Sequence, residues 1–241
     1  DVREFAMTAI LIRHPKGNLL FDAGFGRHVD EQVQTLPTLM RATTTYRKGQ
    51  PVADQLAAGG LDPAKLAGVV LTHAHWDHVS GLDSLGAVPV WLPAAEEGFI
   101  AGDNEHAALA RQMLRTPAHT YDFDDGAYLG FPRSHDVWGD GSVVLVPASG
   151  HTPGSVIAFI TLPSGARHAL LGDLVWQLDG VTRPAERPWI ARSLIGEDSA
   201  QVRENILRVA AIHQRFPQIR LLPAHDAGAM ASLPVFPARA E

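Results

Sequence analysis

Short runs of apolar residues, each bounded by turn-forming residues, recur in two groups along the chain, before residue 93 and after residue 142. Runs of this length that are rich in Val, Ile and Leu are typical of buried or half-buried strands. We predict strands at residues 7–12, 18–22, 68–72, 88–92, 143–147, 156–162, 169–172 and 219–223.

Helical spacing fills several of the intervals between these runs. Helices are predicted at residues 51–58, 94–101, 105–114 and 199–216. The last is the clearest, because Val202, Ile206 and Val209 fall on one face of it. Either Asp198 or Ser199 supplies its N-cap. The chain is therefore predicted to have a mixed α/β fold with no internal repeat.

Two stretches of the sequence are less regular. Residues 94–140 carry Pro and Gly breaks between the two regular halves, so we predict a lid or insertion over a site. This lid would belong to a single domain that spans residues 1–241. Residues 177–198 mix charged residues, Pro and Trp, and both a second site loop and a surface crossover are open for them.

Composition and charge narrow the range of functions. The chain has 241 residues, of which 46% are hydrophobic, enough to bury the core of one large domain or of two closely packed halves. A formal net charge of −6 and the lack of a basic stripe argue against nucleic-acid binding. Cysteine is absent, which excludes thiolate metal sites, Cys nucleophiles and disulfides.

Location and assembly are less constrained by the sequence. No apolar run approaches the roughly 18 residues that a membrane span needs, so a soluble protein is expected. A cytoplasmic location, and export after removal of an upstream signal, are both compatible with the sequence. A homodimer is likewise open.

Histidines concentrate at one point of the chain. The motif His-Ala-His-Trp-Asp-His occupies residues 73–78, directly after a predicted strand. In an extended chain, residues two apart point the same way, so His73 and His75 can bind one ion together. As the chain turns, Asp77 and His78 can face a second ion beside the first. Imidazole and carboxylate ligands suit Zn, Mn, Fe or Co better than Ca or Mg.

Three further candidate ligands each follow a predicted strand. His151 lies in a Gly-His-Thr-Pro-Gly turn, Asp173 ends the run Leu-Leu-Gly-Asp, and His225 lies in Pro-Ala-His-Asp. A single His after a strand is more often structural. Three such residues together with the first motif favour metal ligation over a histidine-rich loop that binds nothing.

These residues resemble the metallo-β-lactamase superfamily, and the resemblance spans nearly the whole chain, from Asn-Leu-Leu-Phe-Asp-Ala-Gly at 18–24 to Ala-His-Asp at 224–226. The order and setting of the His-x-His-x-Asp-His motif are highly specific. The resemblance implies an αβ/βα sandwich, in which two mixed β-sheets lie face to face, helices lie outside and the site lies at the sheet edges.

The resemblance also implies two adjacent divalent metal ions, most simply zinc. The implied ligands are His73, His75 and His151 for the first ion, Asp77, His78 and His225 for the second, and Asp173 as a bridge between them. Asp22 matches the family's Asp-x-Gly turn, which usually supports the site and does not bind metal.

Within the superfamily, the chain looks most similar to the N-acyl-homoserine lactone lactonases and the methyl parathion hydrolase group. Zinc β-lactamases commonly use a Cys ligand, and flavodiiron proteins have Glu at the position of His75. Superfamily nucleases need a nucleic-acid surface, and the basic glutathione-binding residues of glyoxalase II have no evident counterpart. One departure concerns the lactonases, which typically have Tyr where this chain has Trp176.

The predicted reaction is hydrolysis of a lactone or ester bond by a hydroxide that bridges the metals, with Asp77 shuttling the proton to the leaving group. Hydrolysis of phosphotriesters is an alternative, and a glyoxalase II-like thioesterase or a catalytically idle metal-binding scaffold is less favoured. The expected substrate is a small apolar ester or lactone. Candidate residues for the wall of its pocket are Phe25, Trp76, Trp138, Trp176 and Trp189.

Overall fold

The structure is a computed structural model that describes residues 5–114 and 116–240. The chain divides into two compact units. Met7–Thr120 forms one, here called the N-terminal unit, and Tyr121–Glu241 together with Asp1–Ala6 forms the other, the C-terminal unit.

A five-stranded mixed sheet organises the N-terminal unit. Its strands, in both chain order and sheet order, are β1 (Ile10–Ile12), β2 (Asn18–Phe21), β3 (Leu66–Val70), β4 (Val90–Pro93) and β5 (His119–Tyr121). β1 pairs antiparallel with β2, whereas β2, β3 and β4 are parallel. Because parallel strands end at the same sheet edge, the residues after β2 and β3 lie close together.

The helices of the N-terminal unit are short. They are α1 (Val29–Gln32), α2 (Thr38–Thr43), α3 (Val52–Ala58), α4 (Trp76–Val79), α5 (Ala94–Ala101) and α6 (Ala108–Met113). α5 has the predicted bounds. The predicted helix 105–114 is divided into a 3₁₀ turn, Glu105–Ala107, and α6.

A second five-stranded mixed sheet organises the C-terminal unit. Its strands are β6 (His135–Asp136), β7 (Val143–Pro147), β8 (Val156–Thr161), β9 (Arg167–Gly172) and β10 (Ile219–Pro223), in the sheet order β10-β9-β8-β7-β6. β9 and β10 are parallel, and β8 is antiparallel to both β7 and β9. Consequently β7, β9 and β10 all end at one edge.

One of the helices described in the C-terminal unit is much longer than the others. The helices are α7 (Asp179–Thr182), α8 (Trp189–Ile195), α9 (Ser199–Arg215) and α10 (Ala227–Met230). Of the two N-cap candidates that the sequence left open, Asp198 caps α9, by accepting hydrogen bonds from the backbone N–H groups of Ala200 and Gln201. Val202, Ile206 and Val209 on its inner face belong to one buried cluster with apolar residues of β7, β8 and β9.

Strands β5 and β6 lie outside the predicted set, because each has at most three residues and polar side chains. Residues 94–140, predicted as a lid or insertion, contain α5, α6 and both of these strands. In the described part of the chain, every helix is too short or too polar to cross a bilayer.

Candidate metal centre

In the N-terminal unit, four predicted ligands follow β3 within six residues. The ring centroid of His73 lies 4.6 Å from that of His75 and 4.0 Å from that of His78. All three imidazoles are buried. One nitrogen of His73 lies within 4.8 Å of one nitrogen of each of the other two rings, and Asp77 and His78 offer a carboxylate oxygen and a nitrogen at the same range.

A single helical turn brings the last two of these ligands into place. His75 precedes α4, and its carbonyl accepts a hydrogen bond from the His78 backbone N–H at 3.0 Å. The Asp77 carboxylate and the His78 imidazole therefore project from one turn, with Oδ2 and Nε2 3.9 Å apart. The Asp77 side chain is the more accessible of the two, at 14% against 3% exposed. This accessibility suits a carboxylate that exchanges protons.

Asp22 holds the beginning of this loop from the end of the neighbouring strand β2. Its carboxylate accepts hydrogen bonds from the Thr72 backbone N–H at 2.7 Å and from the Thr72 hydroxyl at 2.8 Å. The same carboxylate lies 2.8 Å from His78 Nδ1. Asp22 has a φ of 55°, a strained conformation for a residue other than Gly. The structure thus gives Asp22 the supporting position that the resemblance implied.

A buried carboxylate that the sequence analysis did not single out fixes the middle of the loop. Glu96, in the first turn of α5, has no exposed surface and accepts a hydrogen bond from the Ala74 backbone N–H at 2.6 Å. Ala74 separates the first two histidines, so this contact fixes the backbone between them. The only sequence signal for it is an acidic residue at a helix N-terminus, which is common on exposed helices.

In the C-terminal unit, Asp173 lies between two histidines. Its carboxylate oxygens are 3.6 Å from His151 Nε2 and 3.0 Å from His225 Nε2, and all three side chains are buried. These residues follow β9, β7 and β10, which end at the same edge of the sheet. The strand directions therefore account for the cluster.

His225 is fixed by the first described residues of the chain. Its Nδ1 lies 2.8 Å from the carbonyl oxygen of Ala6, and its own carbonyl accepts from the Ala6 N–H at 3.3 Å. Gln177 donates to the same His225 carbonyl at 3.2 Å. Since a carbonyl only accepts hydrogen bonds, this contact favours a proton on Nδ1 of His225.

The loop that carries His151 is fastened to the start of α9. Gly150 has a φ of 136°, and a Cβ there would lie 2.7 Å from the backbone nitrogen of Val202. The Asp198 N–H donates to the Gly150 carbonyl at 2.9 Å, and the Asn205 side chain donates to the Ser149 carbonyl at 2.9 Å. Backbone, cap and close packing thus fix this turn together.

Two charged residues of the irregular segment 177–198 approach His151. Glu197 Oε2 lies 3.2 Å from His151 Nδ1, and Arg187 Nη1 donates to that same oxygen. Burial raises the pKa of Glu197, while the positive charges of Arg187 and Arg192 oppose that rise. Burial also lowers the pKa of the Arg187 guanidinium. The sequence left two roles open for residues 177–198, and the contact with His151 favours a site loop over a surface crossover.

The donor set fits a divalent cation. His78 and His151 each face a carboxylate through Nδ1, and His225 faces a carbonyl. His73 Nδ1 lies 3.2 Å from the Thr72 hydroxyl, which already donates its proton to Asp22. An acceptor beside Nδ1 favours the Nδ1–H tautomer in each of these four rings, and Nε2 is then the nitrogen that would bind a metal. Imidazole nitrogens with carboxylates suit zinc and similar ions.

The aromatic residues predicted to line a substrate pocket lie in separate places. In the N-terminal unit, the Phe25 and Trp76 rings are 4.9 Å apart, and Tyr46 packs edge-on against both. In the C-terminal unit, the centre of the Trp176 ring lies 5.2 Å from the centre of the Phe5 ring and 5.3 Å from the guanidinium carbon of Arg187. Sequence reasoning did not identify Phe5, Tyr46 or Arg187.

The other two predicted pocket residues, Trp138 and Trp189, also lie in the C-terminal unit, one in a loop and one at the start of a helix. Trp138 lies between β6 and β7 and is half-buried. Trp189 is the first residue of α8 and is 68% exposed. An indole this exposed offers a surface and not an enclosed wall, and its contact with substrate stays a prediction.

Comparison with known proteins identifies the family. A family model described as the Metallo-beta-lactamase superfamily matches residues 3–213 and ends before His225. The N-acyl homoserine lactonase AttM of Azorhizobium caulinodans is 26% identical over 192 residues, which cover 73% of this chain and 67% of that protein. A probable metallo-hydrolase of Mycobacterium tuberculosis is 28% identical over 249 residues, covering 90% and 73%.

Solved structures agree on the fold. A B. thuringiensis AiiA variant with N-decanoyl-L-homoserine bound at its active site has a TM-score of 0.66 at 19% identity, over 95% of this chain and 85% of that one. The hydrolase AbOPH has a TM-score of 0.61 at 17% identity, over 92% and 72%. The predicted fold class is therefore confirmed. The chain belongs to the metallo-beta-lactamase superfamily and is a metal-dependent hydrolase.

Proposed function

We propose that this chain holds two divalent metal ions, most simply zinc, and that the resulting centre hydrolyses lactone or ester bonds. The proposed ligands are His73, His75, Asp77, His78, His151, Asp173 and His225. The observation that carries the proposal is that Nδ1 of four of the histidines lies beside a hydrogen-bond acceptor, which leaves Nε2 of each of these four rings for ligation. Structural histidines have no need of such uniformity.

The chain's own residues would divide the work of hydrolysis. When bound, two divalent ions supply a lowered pKa for water and a Lewis acid for the substrate oxygen. Asp173, with a histidine on either side, holds the negative charge at the centre of the C-terminal group. Asp77 would accept the proton of the attacking water and deliver it to the leaving oxygen. Its side chain is partly accessible, so it can reach both.

The substrate class rests on the relatives and on the aromatic side chains. AttM is named as an N-acyl homoserine lactonase, and the AiiA variant has N-decanoyl-L-homoserine bound at its active site. The aromatic group formed by Phe25, Tyr46 and Trp76 would bind an apolar acyl or aryl substituent. A small, apolar ester or lactone fits these features.

Trp176 gives a specific reason to consider phosphotriesters and aryl esters as a second substrate class. Its indole is held edge-on by Phe5 and faced by the Arg187 guanidinium. An indole N–H donates a hydrogen bond but has no proton to transfer, unlike the Tyr typical of the lactonases. An aryloxide is a good leaving group and needs no such assistance. The alkoxide that forms when a lactone ring opens is a poor leaving group and does need it.

Replacing Trp176 by Tyr should therefore shift substrate preference toward lactones. We expect the ratio of kcat/KM for an acyl-homoserine lactone to kcat/KM for an aryl ester to rise about tenfold or more, because a phenol can assist the leaving oxygen. The measurement is kcat/KM for both substrates, and for an aryl phosphotriester, in wild type and variant. Trp91→Tyr on β4 is the matched control and should leave the ratio unchanged.

The wild-type panel tests the proposed function itself. Metal-loaded protein should hydrolyse at least one of the lactones, aryl esters and phosphotriesters, and a chelator should abolish that activity. Activity confined to glutathione thioesters would replace the proposal with a thioesterase. A wild type that strongly prefers lactones, with a Tyr variant that is no better at them, would contradict the role assigned to Trp176.

A further inference from the structure

The side chain of Glu197 is buried in the C-terminal unit beside a proposed ligand. It has no exposed surface, and Arg187 beside it is 3% exposed. One carboxylate oxygen accepts from Arg187 Nη1 and lies 3.2 Å from His151 Nδ1. Burying two charges is costly, and replacing such a pair by apolar residues is often neutral or stabilising. The presence of the pair therefore calls for a reason other than stability.

The geometry gives that reason. A carboxylate only accepts hydrogen bonds, so its contact with His151 places the ring proton on Nδ1. Nε2 then carries the lone pair, and it is the nitrogen that lies 3.6 Å from Asp173. Asp22 acts in the same way on His78, at 2.8 Å. The two units thus use the same device, a buried carboxylate behind the imidazole, to set which nitrogen binds metal.

Arg187 donates a hydrogen bond to the same carboxylate oxygen that faces His151. The Nε and Nη2 atoms of Arg187 are buried and have no hydrogen-bond partner among the described residues. Its hydrogen bond from Nη1 therefore goes to the Glu197 carboxylate. The guanidinium carbon also lies 5.3 Å from the centre of the Trp176 ring. The Arg187 guanidinium therefore contacts both Glu197, which lies behind the proposed ligand His151, and Trp176, which is predicted to contact substrate.

We propose that Glu197 and Arg187 are positioning residues that fix the tautomer and orientation of His151 and so raise the metal affinity of the C-terminal ligand group. This inference rests on the proposed function in one respect, namely that His151 binds a metal. The pair would act through His151 and not directly on the reacting atoms. Its effect should appear in metal binding and in the protonation of one ring, even in the metal-free protein.

Three variants separate positioning from stability. Glu197→Gln retains an oxygen that can accept from both neighbours. Glu197→Leu removes the acceptor but leaves the Arg187 charge buried. The double variant Arg187→Met with Glu197→Leu removes both charges and should fold, because no unpaired charge remains. Glu204→Leu, on the exposed face of α9, is the matched control.

Two readouts test the inference, both on full-length protein. In metal-free protein labelled with ¹⁵N-histidine, the His151 signals, assigned by their loss in His151→Ala, should show the Nδ1–H tautomer in wild type and Glu197→Gln. The double variant should shift them toward the Nε2–H tautomer. Zinc affinity, measured by competition with a chromophoric chelator, should fall about 10- to 100-fold in the double variant and in Glu197→Leu, and little in Glu197→Gln and in the Glu204→Leu control.

The outcomes distinguish this inference from the proposed function. A double variant with unchanged tautomer and zinc affinity, in a wild type that binds zinc tightly, would overturn the positioning role and leave the metal centre intact. A wild type that binds no zinc would overturn the proposed function. A Glu197→Gln protein as impaired as the double variant would show that the charge itself, and not the hydrogen-bond acceptor, is required.

Discussion

Asp173→Asn is expected to lower kcat by more than about a hundredfold, the upper end of the effect seen when groups that only support metal ligands are lost. The Asp173 carboxylate oxygens lie 3.6 Å and 3.0 Å from the Nε2 atoms of His151 and His225, so its negative charge is close to both proposed ligands. The amide has the same shape but no charge, and its nitrogen cannot bind a cation. Steady-state kinetics on the best substrate of the panel, at saturating metal, measure the change.

The fold should survive this substitution, because Asn preserves the volume of a buried side chain. Asp179→Asn is the control, since Asp179 is 54% exposed and, among the described residues, forms an ion pair with Arg183 on the surface of α7. It should retain wild-type kinetics. An Asp173→Asn protein with near-wild-type kcat at full metal loading would show that Asp173 is not a ligand.

Gly150→Ala is expected to lower the free energy of unfolding of metal-free protein by about 2–4 kcal/mol, the sum of backbone strain and overpacking. The φ of 136° is one that L side chains rarely adopt, and the new Cβ would lie 2.7 Å from Val202 N and Cγ2. Because α9 and the His151 turn would have to separate, metal affinity should fall as well. Denaturant unfolding and chelator competition measure the two effects.

Gly126→Ala separates the two contributions. Gly126 also has a positive φ, 84°, but a Cβ there would meet no heavy atom within 4 Å. This control should show the cost of backbone strain alone, about 1–2 kcal/mol, and unchanged metal affinity. If Gly150→Ala were no more destabilising than Gly126→Ala, the close packing of the His151 turn against α9 would be refuted.

The regular core of the fold could be predicted from sequence because burial leaves a clear pattern. β7 and β10 have the predicted bounds, and α9 ends one residue before its predicted end. These elements are long or continuously apolar, so one pattern dominates each of them. The loop after β3 was also predictable, since four candidate ligands within six residues have few structural explanations.

Short elements lay beyond this kind of reasoning. β6 has two residues, and α4 has four, fewer than a pattern of period 3.6 needs to become visible. The predicted strand 68–72 ends at Val70, because the next two residues turn toward Asp22 and the ligand loop. Tertiary hydrogen bonds, and not local preference, set such boundaries.

The residues behind the ligands were missed for a related reason. Glu96, Glu197 and Arg187 contact backbone or side chains that are distant in the sequence, and none belongs to a recognisable motif. A buried charge has the same letter in the sequence as an exposed one. Only the fold shows that Glu197 lies behind His151, 46 residues away.

Metal stoichiometry tests the central claim most directly. Seven proposed ligands are more than one tetrahedral ion can use, so protein saturated with zinc and freed of excess metal should hold two ions per chain by elemental analysis. His225→Ala should lower the occupancy to about one, because the second ion loses a ligand whose Nε2 is set by the Ala6 carbonyl. One ion per chain in saturated wild type, or two in His225→Ala at unchanged affinity, would contradict the proposed two-metal centre.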